Sequence, residues 1–111
     1  MTAPRTAGPG DQAQFAFGDL LVTKYFETQR IAFGRAVLPA GGAGDVDPGH
    51  KDAEEVIYVI SGTVVCVFPD NGETVEVSQG HALLVPPERP HKLENHTGEE
   101  ACITYSCAPQ L

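Results

Sequence analysis

The sequence predicts an all-β domain, a sandwich or barrel. Three observations carry that reading. No window of the chain holds apolar residues at the three- and four-residue spacing of an amphipathic helix. Short apolar or alternating runs recur instead, each of strand length. Between them stand Gly, Pro, Asn and Asp in combinations that turn the chain.

The runs cover residues 20–26, 31–38, 56–60, 63–68, 74–77, 82–85, 91–94 and 101–105. Between 63–68 and 74–77 lies Pro69-Asp70-Asn71-Gly72, where Asn71 and Gly72 suit the positive-φ positions of a tight hairpin turn. Ser61-Gly62 is a second turn and Asn95-His96-Thr97-Gly98 a third. The glycine-rich stretch after Leu38 and Pro39 opens a loop through Gly49. Residues 1–13 are small, polar and broken by prolines, and read as a disordered lead-in. Residues 14–111 then form one domain, since 111 residues leave no room for a second.

Charge narrows the function classes. Seven Lys and Arg against fifteen Asp and Glu give a net charge of −8. No basic stripe exists to neutralise phosphates, so neither nucleic acid nor an anionic membrane is an expected partner. No apolar run approaches the roughly 20 residues of a membrane span, and the N-terminus lacks a signal-peptide core. Cys66, Cys102 and Cys107 are odd in number and at no zinc-ribbon spacing. They read as reduced, buried thiols of a cytoplasmic protein, with Cys102 and Cys107 on opposite faces of one strand.

Four histidines are present. His81 and His96 sit in polar turns and read as surface residues. His50 follows a Gly/Pro loop, and Glu55 opens the apolar run Val56-Ile57-Tyr58-Val59-Ile60 five residues later. His91 follows Pro86-Pro87-Glu88-Arg89-Pro90. An inward His or Glu in an apolar core needs a partner or a metal. His50, Glu55 and His91 could supply two imidazole nitrogens and a carboxylate oxygen, a set that suits a divalent transition metal ion: Fe, Zn, Ni, Mn or Co.

At these positions the chain resembles the cupins, small jelly-roll barrels also described as double-stranded β-helices. Their first motif runs Gly, five residues, His, one residue, His, three or four residues, Glu, six residues, Gly. Gly42, Pro48, His50, Glu55 and Gly62 fit it without a gap, with Pro48 in place of the first His. Their second motif runs Gly, five residues, Pro, one residue, Gly, two residues, His, three residues, Asn. Gly80, Pro86, Glu88, His91 and Asn95 match, with Glu88 in place of the middle Gly. The resemblance covers about residues 31–106.

The resemblance implies an all-β cupin barrel and a metal held by the motif residues. Proline cannot ligate through its side chain, so the implied ligand set shrinks to His50, Glu55 and His91, with Pro48 marking a vacated position. A second register makes His50 the first His and keeps Asp52 as a possible fourth ligand. Strand parity sets Ile57 and Val59 on the face of Glu55, and Leu93 and Asn95 on that of His91. Phe33 and Arg35 share a face with each other and with Val37. Were that face inner, Phe33 would line the substrate pocket and Arg35 would anchor an anionic group.

The expected function is that of a small metal-dependent enzyme acting on a low-molecular-weight metabolite, similar to cupin dioxygenases, isomerases, lyases or polyketide cyclases. The alternative is a non-catalytic metabolite-binding or accessory cupin, with or without metal. A homodimer is also expected, because small cupins pair through strands and the run 20–26 would otherwise form an exposed apolar edge.

Overall fold

Nine strands and no helix make up the regular structure of residues 3–109, the part of the chain described by this computed structural model. They are β1 (Gln14–Phe17), β2 (Leu20–Glu27), β3 (Ala32–Leu38), β4 (Glu54–Ser61), β5 (Thr63–Phe68), β6 (Glu73–Ser78), β7 (Ala82–Val85), β8 (Lys92–Glu94) and β9 (Ala101–Ala108). Each of the eight runs read from sequence falls on a strand. The ninth, β1, is short and largely exposed, so it carries no clear alternation to read. No helix is long and apolar enough to cross a membrane.

The strands form two antiparallel sheets. Six strands lie in the order β1-β2-β3-β9-β4-β7, and three in the order β6-β5-β8. This is the all-β jelly roll that the resemblance implied. The core lies between the sheets and is built by alternation. On β5, Val64, Cys66 and Phe68 point inward. On β4, Ile57 and Val59 do, while Val56, Tyr58 and Ile60 face out.

On β3 the alternation settles what the sequence left open. Ala32, Gly34, Ala36 and Leu38 are buried, while Phe33, Arg35 and Val37 take the outer face. Phe33 stacks on Tyr25 there, with ring centroids 6.2 Å apart. Phe33 and Arg35 therefore do not line the interior, because a one-residue change of parity moves a whole set to the other face. The run 20–26 is also not an edge, since β2 lies between β1 and β3. The edge argument for a dimer falls with it.

The turns follow the chemistry of their residues, with one difference. Gly72 has φ +77°, but Asn71 stays at negative φ. Both amides, Asn71 N and Gly72 N, donate to the Phe68 carbonyl, at 3.3 and 2.8 Å. A four-residue loop needs only its last residue in the left-handed region, unlike a two-residue one. Glu88 is the one non-glycine residue with positive φ, at 64°, among those described. It stands where the second cupin motif has glycine, and its backbone takes the conformation that glycine would. Residues 1–13 were expected to be disordered. Within the described part, Asp11 caps Gly8 N at 2.7 Å and the Arg5 guanidinium lies over the Phe26 ring. Met1, Thr2, Gln110 and Leu111 lie outside the described residues.

Asn95 ties the second motif to the rest of the barrel. It is 1% exposed. Its amide donates to the carbonyls of Leu38 and Glu99, and its carbonyl oxygen accepts from the Thr97 amide and hydroxyl. Asn95→Ala strands these buried groups, each costing about 1–3 kcal/mol when unpaired. The variant is expected to lose about 3 kcal/mol in urea unfolding. A loss under about 1 kcal/mol would show that water replaces the side chain.

Candidate metal centre and cavity

The site begins with a backbone pairing. Asp47 and His91 form an isolated antiparallel bridge. Asp47 N donates to the His91 carbonyl at 2.8 Å, and His91 N to the Asp47 carbonyl at 2.9 Å. Residues directly opposite in such a pair project to the same face. Immediately after Asp47 the chain turns. Asp47 Oδ1 accepts from Gly49 N at 2.8 Å, and Gly49 has φ +83°. Pro48 is turned outward by this and is exposed.

Glu55 comes from the other sheet. It pairs with Cys107 on β9 and Val85 on β7, and points inward beside Ile57. Its Oε1 lies 2.9 Å from His91 Nε2, and Asp47 Oδ2 lies 4.0 Å from the same nitrogen. One donor atom from each of Asp47, Glu55 and His91 lies within 4.8 Å of the others. Two donors that share one ion at about 2.0–2.2 Å sit at most about 4.4 Å apart. The two distances measured from His91 fit that limit.

The imidazole is held in one orientation. His91 Nδ1 donates to the Arg89 carbonyl at 2.9 Å, which leaves Nε2 to face the carboxylates. This is the hydrogen bond that fixes tautomer and direction in a metal-ligating histidine. Arg89 is itself anchored, reaching Asp70 at 2.9 Å and Glu73 at 3.3 Å while its guanidinium lies 4.4 Å from the centre of the Phe68 ring. Burial alone would lower the His91 pKa. The Glu55 hydrogen bond, the Arg89 carbonyl and the charges of Glu55 and Asp47 outweigh it, and the net shift is upward.

These groups face a cavity of ≈ 260 Å³. That is the volume of about nine liquid waters, enough for a small metabolite and not a polymer. Its walls are mostly apolar, with Phe15, Phe17, Leu20, Val22, Ile57, Leu93 and Ile103 among them. Lys24 and Glu27, joined by a 2.9 Å ion pair, also line it.

The sequence-derived candidates fall into three groups. Glu55 and His91 come together. His50, Ile57 and Leu93 line the same cavity, but His50 is not in the cluster of donor atoms. Asp52 is exposed, Val59 is fully buried in the core away from the cavity lining, and Phe33 and Arg35 are on the outer face. The reason for His50 and Asp52 is local. Residues 48–53 do not continue as a strand, so the two-residue parity that would aim positions 48 and 50 inward does not apply. Asp47 was not anticipated. Its signal lay in Asp47-Pro48-Gly49, an Asp followed by turn formers, where an Asx-turn can hold the carboxylate in place. Cys66, Cys102 and Cys107 are all buried and unbonded, with Cys102 and Cys107 paired at registers on opposite faces. His81 and His96 are exposed as expected.

Comparison with known proteins agrees with this architecture. An uncharacterized protein of Methanocaldococcus jannaschii is 30% identical over 77 residues, which is 69% of this chain and 59% of that protein. The chain thus spans about three fifths of the length of that curated relative. Among solved structures, KdgF from a Halomonas species superposes with a TM-score of 0.78 at 14% identity, over 99% of this chain and 96% of that one. The polyketide cyclase RemF from Streptomyces resistomycificus superposes with a TM-score of 0.75 at 20% identity, over 97% and 81%. The cupin domain of Schizosaccharomyces pombe Cnp3 gives 0.72 at 21% identity, over 81% and 64%. At these identities the likeness is one of fold. The family model for the cupin domain matches residues 34–107, which take in both motifs, Glu55, His91 and seven of the nine strands. The chain belongs to the cupin domain family.

Proposed function

We propose that this cupin is a metal-dependent enzyme acting on a small, largely apolar metabolite held in the cavity. The observation that supports it is the meeting of Asp47, Glu55 and His91 at one wall of a mostly apolar pocket. Two carboxylate oxygens and one imidazole nitrogen suit a divalent cation. They form a harder set than two histidines and one carboxylate, which moves the preference from zinc toward manganese and iron(II). Such an ion, when bound, polarises a carbonyl or enolate oxygen of the substrate. The chain's own residues do the rest. Arg89 holds the His91 ring, the Asp47–His91 bridge sets the spacing of two donors, and the apolar walls exclude water and orient the substrate. Reactions of the lyase, isomerase, cyclase or oxygenase type fall within that chemistry. Protein purified without an affinity tag is expected to carry near-stoichiometric metal. Asp47→Ala, Glu55→Ala and His91→Ala each lose most of it, and Asp52→Ala, His81→Ala and His96→Ala keep it. Elemental analysis of the six variants decides. Metal retained by His91→Ala overturns the site, and wild-type protein without metal favours a non-catalytic metabolite-binding role.

The site also sets a pH dependence. In metal-free protein, His91 has a raised pKa relative to its unfolded value of about 6.5. Protonated His91 facing Glu55 therefore stabilises the fold fully below that pH. The contribution is lost as pH rises through the folded pKa. Metal uptake runs the other way, because the ion displaces the proton from Nε2. Unfolding of chelator-treated protein should show stability falling as pH rises above about 6.5, while metal affinity rises in the same direction. His91→Gln should flatten both trends. A wild-type stability curve flat above about pH 6.5 would remove the raised pKa.

We further propose that two copies associate through the outer face of the six-stranded sheet. Val56, Tyr58 and Ile60 on β4 are 41–44% exposed, and Leu84 on β7, opposite Val56, is 56% exposed. They form an apolar row bordered by Glu54 on the same face, in a chain of net charge −8. Light scattering is expected to give about twice the 11.8 kDa of one chain, and Tyr58→Glu to give one chain's mass. A wild-type monomer at high micromolar concentration rejects the interface.

A further inference from the structure

The wall of the cavity formed by the six-stranded sheet has an unusual middle. Cross-strand registers place Lys24, Gly34, Tyr105 and Ile57 in one row across β2, β3, β9 and β4. The neighbouring row is Glu27, Ala32, Cys107 and Glu55. The β3 members of both rows, Ala32 and Gly34, are the smallest side chains available. At Gly34 the space is taken by another residue. A Cβ there would lie 2.5 Å from the Tyr105 hydroxyl oxygen and 2.6 Å from Tyr105 Cε1. The Tyr105 ring therefore lies across the bare backbone of β3, with its hydroxyl over Gly34 and toward β2.

That placement separates the hydroxyl from the metal centre. Glu55 stands on β4 and Gly34 on β3, with β9 between them. Two strand spacings are roughly 10 Å. Tyr105 is half-buried, lines the cavity, and takes no hydrogen-bond partner among the described residues. A phenolic O–H in a mostly apolar cavity is a donor without an acceptor, and such a group is satisfied by what enters the cavity. Burial, with Glu55 and Glu27 nearby, pushes its pKa up to about 12, so it stays a neutral donor.

We propose that Tyr105, seated on Gly34, is a specificity residue that donates a hydrogen bond to the ligand. It selects small metabolites carrying an uncharged oxygen or nitrogen acceptor at the end remote from Asp47, Glu55 and His91. This rests on the reading of the cavity as the substrate site and narrows the substrate to a molecule with two polar ends and an apolar middle. The contact is a ligand contact, and Lys24, already paired with Glu27, is not needed for it.

The test uses two probes of similar size that differ at one end: 3,4-dihydroxybenzaldehyde, with a formyl acceptor, and 4-methylcatechol, without one. Affinities are measured for wild type, Tyr105→Phe and the outer-face control Tyr58→Phe, each manganese-loaded and chelator-treated. Wild type and Tyr58→Phe are expected to prefer the aldehyde by a ratio about fivefold larger than Tyr105→Phe does. Metal content and binding of 4-methylcatechol should be unchanged by Tyr105→Phe, which a merely structural tyrosine would not ensure. An aldehyde-to-methyl ratio indifferent to Tyr105→Phe overturns the proposal, as does failure of both probes to bind at millimolar concentration. Wild type that takes up no manganese but keeps the Tyr105-dependent ratio overturns the metal reading alone.

Discussion

The two reciprocal hydrogen bonds between Asp47 and His91 are the constraint on which the site depends. They join the long loop after Leu38 to the segment just before β8, two stretches far apart in sequence. Without them His91 would still be aimed by the Arg89 carbonyl, but no second donor would stand beside it from that side. The same loop is pinned at Asn95 N, which donates to the Gly42 carbonyl, and at Gly44 N, which donates to Leu93. Four backbone bonds thus clamp it along the edge of β8. A loop of this length would ordinarily be mobile. Here its backbone is satisfied like that of a strand, and the Asp47 carboxylate is held beside His91.

Opposite that clamp, the interior is shaped by small residues. Ala32, Gly34 and Ala36 occupy successive inward positions of β3, where a sandwich core would ordinarily place Val, Ile or Leu. Leucine returns only at Leu38, deep between the sheets and 1% exposed. The gradient leaves space at one end of the barrel and close packing at the other. Leu38, Val59, Val64 and Ala101, core residues that do not line the cavity, make up the packed end. Leu20, Val22, Ile57, Leu93 and Ile103 belong to the same core cluster and also line the cavity, so part of its wall carries the fold as well.

The strands and the two motifs were legible because each rests on a local rule. Alternation of period two gives the faces of β4 and β5, and turn residues give the boundaries. Even Glu88, a departure from the second motif, kept the backbone geometry of the glycine it replaces. What the sequence hid was non-local. The parity of β3 is a matter of which of Ala32 or Phe33 turns toward the facing sheet, and small inward residues remove the hydrophobic contrast that would reveal it. Asp47 was hidden for a second reason. Its place depends on a backbone bridge to a residue 44 positions later, and nothing in a single sequence encodes that pairing. Strand parity does not carry from 48 to 50, because Gly49 breaks the extended chain, though His50 still lines the cavity.

Asp47, Glu55 and His91 stand outside the buried apolar core, and each has protein partners in the absence of an ion. Glu55 and His91 satisfy one another at 2.9 Å, and Asp47 accepts from Gly49. A chain of this size buries about two-thirds of its unfolded surface and needs no metal to fold. This differs from small zinc domains, where binding energy is folding energy. An ion held here by Asp47, Glu55 and His91 would replace a proton between groups already placed. The cost of assembling its donors has been met by the Asp47–His91 bridge, the Arg89 carbonyl and the β4–β9 pairing. Site variants should therefore alter metal binding without abolishing the fold, apart from the stability that the Glu55–His91 pair contributes in metal-free protein.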